Sequence, residues 1–186
     1  AASDGTFNTL LYPSEVDIGD FDNDGDLDIL VGEDSGNSHI GRIFLYENDG
    51  ATDPSFTLAA TFDDGFKVVR SSRFVDLDND GDLDIVATTY DNSKSLLWYE
   101  NDGAGNPTFT QGVISSISIS GDVPYKLTYG DFDDDGDVDI LSASSGGSSI
   151  KIFENDGADN PSFTEKTIAT NLSGASSVQL GDIDLD

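Results

Sequence analysis

The sequence has no cysteine and no methionine, a single histidine, a single tryptophan, and only 8 lysine and arginine residues against 37 acids in 186. Without cysteine there can be no disulfide and no thiolate metal site, so any stability needed outside a cell must come from elsewhere, and bound metal is one candidate. The missing cysteines do not themselves fix a compartment. No apolar run approaches the roughly 18 residues of a membrane span. The formal net charge of −29 excludes a basic face for nucleic acid and predicts repulsion from anionic membranes. The chain begins at Ala1 without a methionine and shows no signal peptide, which suggests a processed mature end or a fragment. Disorder is also excluded, since 36% of the residues are hydrophobic and 10% aromatic.

What remains for so many acids is solvation or cation binding. A solvating surface would scatter them, whereas here they are bunched. The stretch GDFDNDGDLDILVG (residues 19–32) returns as VDLDNDGDLDIVAT from Val75 and as GDFDDDGDVDILSA from Gly130, and begins again as GDIDLD at Gly181. The leading aspartates Asp20, Asp76, Asp131 and Asp182 are spaced 56, 55 and 51 residues apart. A second element keeps step with the first: YENDGATDPSFT from Tyr46, YENDGAGNPTFT from Tyr99 and FENDGADNPSFT from Phe153. Repetition in register at this period is the mark of a tandem array.

Each unit reads as four short strands. In the first, EVDIGDF enters the acidic loop, LDILVG leaves it, and GRIFLYE and SFTLAATF follow after turn-rich stretches. Alternation, β-branched and aromatic residues, and Gly/Asn/Asp/Pro at the boundaries all favour strand over helix. The expected fold is therefore all-β: propeller blades of four antiparallel strands, in one domain over residues 1–186, with repeats at about 14–62, 68–115 and 124–170. TFNTLLYPS around Phe7 matches the closing strand of a unit, so residues 1–13 are read as the trailing strand of a preceding blade and 175–186 as the start of a further one. Three blades do not close a ring that typically needs four to eight, so a segment of a larger propeller is expected, with association of several copies as the other possibility.

Calcium-sized cations take six to eight oxygens, commonly from alternating carboxylates plus a backbone carbonyl. Numbering the first loop from Asp20, positions 1, 3, 5 and 9 are Asp20, Asp22, Asp24 and Asp28, with Asp26 at position 7 offering its carbonyl. The second loop gives Asp76, Asp78, Asp80, Asp84 and the carbonyl of Asp82; the third gives Asp131, Asp133, Asp135, Asp139 and that of Asp137. Asp182, Asp184 and Asp186 begin a truncated fourth. Glycine at position 6 (Gly25, Gly81, Gly136) supplies the positive φ of an ion-wrapping turn. Position 8, Leu27 in the first loop, is expected to point into the blade packing, and position 4 (Asn23, Asn79, Asp134) to be a turn residue outside the shell. An EF-hand is excluded, because position 12 is Val31, Ala87 or Ser142 rather than glutamate and the flanks are strands. All-oxygen ligation disfavours zinc, and magnesium rarely uses an all-protein cage.

These D-x-D-x-D-G-x-x-D loops between strands resemble the FG-GAP/VCBS family of integrin-α-like β-propellers, and the resemblance spans essentially the whole chain. It implies bound Ca²⁺, carried by the matching aspartates named above, and a fold that is typically seven-bladed; three blades depart from that number. The ENDG…P-x-F-T element resembles repeats of large secreted or surface proteins of bacteria, which implies an extracellular or cell-surface location.

Other features carry less. Asn48-Asp49-Gly50 and its counterparts at 101–103 and 155–157 are read as turn chemistry, with a second cation site a minor alternative. His39 is expected to be a surface residue, and Trp98 blade packing. Tyr46, Tyr99 and Phe153 are assigned to core packing, with sugar stacking as the alternative. Asn171-Leu172-Ser173 fits a glycosylation sequon. No catalytic constellation emerges, since a Ser/His/Asp set would depend on His39, and ion-bound carboxylates are poor general acids. The expectation is a calcium-stabilised, non-enzymatic segment of a secreted or surface structural or adhesion protein, binding calcium and a protein or glycan, without nucleic acid or membrane insertion, and able to self-assemble. The alternatives are a carbohydrate-binding lectin and an accessory domain of a polysaccharide-active enzyme.

Overall fold

The computed structural model describes residues 12–34, 41–63, 65, 68–90, 95–115 and 124–181. The trailing strand read around Phe7, the lone His39, and Asp182, Asp184 and Asp186 lie outside them.

Twelve strands form three four-stranded sheets, and the described residues contain no helix. The first sheet is β1 (Pro13–Gly19), β2 (Asp28–Glu33), β3 (Arg42–Asn48) and β4 (Phe56–Phe62). The second is β5 (Val68–Val75), β6 (Asp84–Tyr90), β7 (Leu96–Asn101) and β8 (Phe109–Ser115); the third is β9 (Lys126–Gly130), β10 (Asp139–Ser144), β11 (Ser149–Asn155) and β12 (Phe163–Ala169). Within each sheet every strand pairs antiparallel with its sequence neighbour, the meander of a propeller blade.

Period-2 alternation explains why both faces of the second blade's middle strands are buried. One face meets the first blade and the other meets the third, so neither is left to water. Leu30, Ile43 and Leu45 of the first blade pack with Ile85, Ala87, Leu97 and Tyr99 of the second. The opposite face of that second blade, Val86, Leu96 and Trp98, packs with Leu127, Ile140 and Phe153 of the third. Each fully buried aliphatic or aromatic side chain contributes about 1.5–3 kcal/mol. Trp98, Tyr46, Tyr99 and Phe153 are all buried, so the aromatic positions serve packing, and sugar stacking on Tyr46, Tyr99 or Phe153 is ruled out by that burial.

Position 8 of the acidic loop corrects one expectation. Leu83 and Val138 pack into the clusters shared with the preceding blade, and Leu27, with no such blade among the described residues, is exposed.

The first strands of the blades are joined by charge. The Glu15 carboxylate accepts from Arg73 Nη2 at 2.6 Å, from Lys126 Nζ at 3.1 Å and from the Ser71 hydroxyl, so one residue of β1 reaches both β5 and β9. Two steps along, Asp17 Oδ2 accepts the Phe74 N–H at 2.9 Å. Residues 175–181 form no strand, yet Leu180 lies against Gly130 as Phe74 lies against Gly19.

Candidate metal centre

All three acidic loops join the first strand of a blade to the second, and they share one backbone solution. Position 4 adopts positive φ (Asn23 59°, Asn79 60°, Asp134 62°), and so does the glycine two residues later (96°, 96° and 98°). Asn and Asp tolerate the left-handed region and glycine occupies it freely, which is why these types stand there. The curl turns backbone N–H groups inward. Gly25 N–H donates to Asp20 Oδ2 at 3.0 Å, Gly81 N–H to Asp76 Oδ2 at 3.1 Å, and Gly136 N–H to Asp131 Oδ2 at 3.0 Å. Position 7 in turn donates its N–H to position 5: Asp26 to Asp24, Asp82 to Asp80 and Asp137 to Asp135, at 2.9–3.0 Å.

Carboxylates converge inside each curl. Asp20, Asp22 and Asp28 each place an oxygen within 4.8 Å of the others; so do Asp76, Asp78 and Asp80, and Asp131, Asp133 and Asp139. Positions 1 and 3 belong to the cluster in every loop, joined by position 9 in the first and third and by position 5 in the second. Asp24, Asp135 and Asp84 complete the same loops beside these trios.

Position 9 is the buried anchor. Asp28, Asp84 and Asp139 are at most 1% exposed. Asp84 accepts from Leu77 N–H at 3.0 Å and Asn101 N–H at 2.8 Å, so its carboxylate joins the acidic loop to the end of the third strand. Asp28 does the same with Phe21 and Asn48, and Asp139 with Phe132 and Asn155. Burial pushes Asp84 up to about 7 and Asp28 up to about 6, opposed by those backbone donors and reinforced by neighbouring carboxylates. Desolvation likewise raises Asp22, Asp78 and Asp133, with the position 5 carboxylate the next cause in each loop.

The donor set fits a hard divalent cation. It is all oxygen, no lysine or arginine bonds to any of the clustered carboxylates among the described residues, and Asp76 Oδ1 and Asp78 Oδ1 are buried without a hydrogen-bond partner. Buried acceptors left unsatisfied are costly, and two of them in one curl call for a positive partner.

The side chains of position 7 point elsewhere. Asp82 Oδ1 accepts from Asn23 Nδ2 of the preceding loop at 2.6 Å, and Asp137 Oδ1 from Asn79 Nδ2 at 2.9 Å. Position 4 is thus more than a turn residue, a role its residue type alone did not disclose. The Asn-Asp-Gly turns likewise do more than reverse the chain. Asn101 Nδ2 donates to the carbonyls of Phe21 and Leu83, and Asn155 Nδ2 to those of Leu77 and Val138. The aspartates that follow close their own loops: Asp102 accepts from Ala104 N–H and from both the N–H and hydroxyl of Thr108, as Asp49 and Asp156 do at their equivalents. Those donors hold Asp49, Asp102 and Asp156 below the ordinary carboxylate value, and they occupy the oxygens that a second cation would need.

Comparison with known proteins bears on both fold and site. A family model described as FG-GAP-like repeat matches residues 20–87, 76–142 and 131–186, each match running from one acidic loop into the next. No curated protein matches the chain. Among solved structures, a lectin of Agrocybe aegerita, described by its specific recognition of non-reducing terminal N-acetylglucosamine, is 19% identical with a TM-score of 0.53. The alignment covers 86% of this chain and 39% of the lectin chain, so this chain spans well under half of that protein's length.

Proposed function

The chain belongs to the FG-GAP-like repeat family, and from that premise we propose that it is a calcium-binding propeller segment of a secreted or cell-surface structural or adhesion protein. The observation that carries the calcium reading is the convergence of three carboxylates in each acidic loop, with two buried oxygens of the second loop lacking any partner. Asp20, Asp22, Asp24 and Asp28 would hold the ion in the first blade, with Asp76, Asp78, Asp80 and Asp84 in the second and Asp131, Asp133, Asp135 and Asp139 in the third. Bound calcium supplies the positive charge that lets these groups stay ionised at close quarters. The residues themselves do the structural work: position 1 holds the glycine N–H, position 5 the N–H of position 7, and position 9 fastens the loop to the third strand. Binding to the folded state alone becomes folding free energy, about 2.7 kcal/mol per site at a hundredfold excess over Kd. A cysteine-free protein outside the cell gains from such clamps. This reading assigns no catalytic step, because carboxylates engaged with a cation are poor general acids.

The test is calcium titration of chelator-stripped protein by calorimetry, paired with thermal melts. Saturable binding at three sites with a raised Tm, reversed by chelator and not reproduced by equimolar magnesium, is expected. A melt indifferent to both calcium and chelator would sink the proposal.

One observation favours a second reading, carbohydrate binding. A cavity of about 120 Å³ lies between the first and second blades, lined in part by Phe21, Asp22, Glu47, Asn106, Pro107 and Phe109. A half-buried ring, Phe109, with carboxylate and amide rims suits a single sugar residue. Binding on a glycan array that disappears with Asn106→Ala would support it, and silence across a broad array would remove it.

A further inference from the structure

Resting on the calcium reading, we infer that the acidic loops are coupled to one another, with Asn23 and Asn79 as the positioning residues that transmit occupancy from one blade to the next. Two junctions show the same contact: Asn23 Nδ2 to Asp82 Oδ1 at 2.6 Å, and Asn79 Nδ2 to Asp137 Oδ1 at 2.9 Å. In each, position 4 of one loop grips position 7 of the next.

Both ends of this contact are fixed by the carboxylates of their own loops. Asn23 stands between Asp22 and Asp24, and the N–H of Asp24 donates to Asp20 Oδ1 at 3.0 Å and to Asp22 Oδ1 at 3.3 Å. Ordering those carboxylates around an ion therefore orders the backbone that aims the Asn23 amide. At the receiving end, Asp82 N–H donates to Asp80 Oδ1 at 2.9 Å, and the Asp82 carbonyl is the one expected to face the ion. Asp82 also adds a fifth negative charge to its loop, and an amide donor on its carboxylate lowers the cost of that charge. Filling the first loop thus prepares the second. Linkage makes the effect reciprocal, and couplings of this kind run from about 5-fold upward in affinity. The chain of contacts ends at the third loop, which carries Asp134 at position 4 and has no amide to offer. The same residue shows that aspartate is accepted at that backbone position, with φ of 62°.

The amides of Gly25, Gly81 and Gly136 each donate to the position 1 carboxylate, so nuclear magnetic resonance can follow the three loops separately during a calcium titration. Crippling the first loop with Asp22→Asn is expected to raise the calcium midpoint at Gly81 by about 5- to 10-fold. In an Asn23→Ala background the same change should leave Gly81 where that background puts it. The reciprocal pair Asn23→Asp with Asp82→Asn reverses donor and acceptor, and should restore the dependence even if Asn23→Ala proves too unstable to study. A Gly81 midpoint indifferent to Asp22→Asn with Asn23 in place, or a dependence that survives Asn23→Ala, overturns the coupling. Glycine amides that never respond to calcium would instead overturn the calcium reading on which it rests.

Discussion

Asn101 Nδ2 donates to the carbonyl of Phe21 at 2.8 Å, across eighty residues of sequence and from one blade into the next. Its second amide proton reaches the carbonyl of Leu83 at 3.1 Å, and its Oδ1 accepts the N–H of Gly103, also at 3.1 Å. Asn101 is therefore a buried side chain with every strong hydrogen-bonding group of its amide in use. Asn48, its equivalent in the first blade, makes its bonds within its own blade among the described residues, donating to Leu27 O and accepting from Gly50 N–H. Asn101→Ala is expected to cost about 2–3 kcal/mol, because it strands buried carbonyls. Asn48→Ala, at a more exposed site, should cost about 1 kcal/mol. Urea unfolding in saturating calcium separates them, and equal losses would show that the bond to Phe21 carries nothing.

Asp84 and Asp80 sit in one loop but do different things. Asp84 accepts two backbone N–H groups in a dry site, while Asp80 is exposed and accepts one. In Asp84→Asn an amide NH₂ must face the N–H of Leu77 or of Asn101, leaving a donor without an acceptor at about 1–3 kcal/mol. Part of that loss should persist without calcium, offset by relief of the buried charge whose desolvation holds Asp84 up at about 7. Asp80→Asn is expected to leave metal-free stability within about 0.5 kcal/mol and to shrink the rise in Tm on adding calcium. Melts of both variants with and without the ion check the pair, and a reversed pattern would reassign the two positions.

The architecture was legible because one sequence is written three times. The loop from Asp20, its copies from Asp76 and Asp131, and the ENDG element fixed strand count and blade period without any tertiary information. Less legible was everything that passes between blades. Asn23 and Asn101 occupy turn positions by every local criterion, and nothing within a single repeat says that their amides reach residues some sixty to eighty positions away. Leu27 was misplaced for the same reason. Its copies Leu83 and Val138 pack against the preceding blade, which a reading confined to one unit would take for internal packing.

The Asn-Asp-Gly turns give a pH prediction. Asp102 is held below its ordinary value of 3.8, first by the Thr108 hydroxyl and then by the Thr108 and Ala104 N–H groups. A depressed folded-state value means that the contribution to stability is fully present above the unfolded value and is lost as pH falls through the folded one. Thr108→Val removes the leading donor while keeping the shape. The Asp102 carboxyl should then titrate closer to 3.8 by carbon-detected nuclear magnetic resonance, and part of the acid-side loss of stability should go with it. An unshifted Asp102 in the variant would mean that the backbone donors alone set its acidity.

Gly112 faces Trp98 across the β7–β8 pair, where the first blade pairs Leu45 with Ala60 and the third pairs Ile152 with Lys166. The largest side chain at this position thus meets a residue without one. A Cβ at Gly112 would overlap the indole, lying 2.7 Å from its Cε2 atom, with still closer approach to the ring nitrogen. Trp98 is buried in the interface between the second and third blades, so the ring has little room to retreat. Overpacking of this kind costs about 1–3 kcal/mol, so Gly112→Ala should be among the more damaging single methyl additions in the chain. The first blade supplies the control, since Leu against Ala is the pair it already uses. Adding Trp98→Leu to Gly112→Ala relieves the overlap but leaves the cavity of a lost indole, so the double variant should lose less than the sum of the two single losses. A double-mutant cycle by denaturant unfolding reads that difference directly. Additive losses would mean that the glycine is there for its backbone and not to seat the tryptophan.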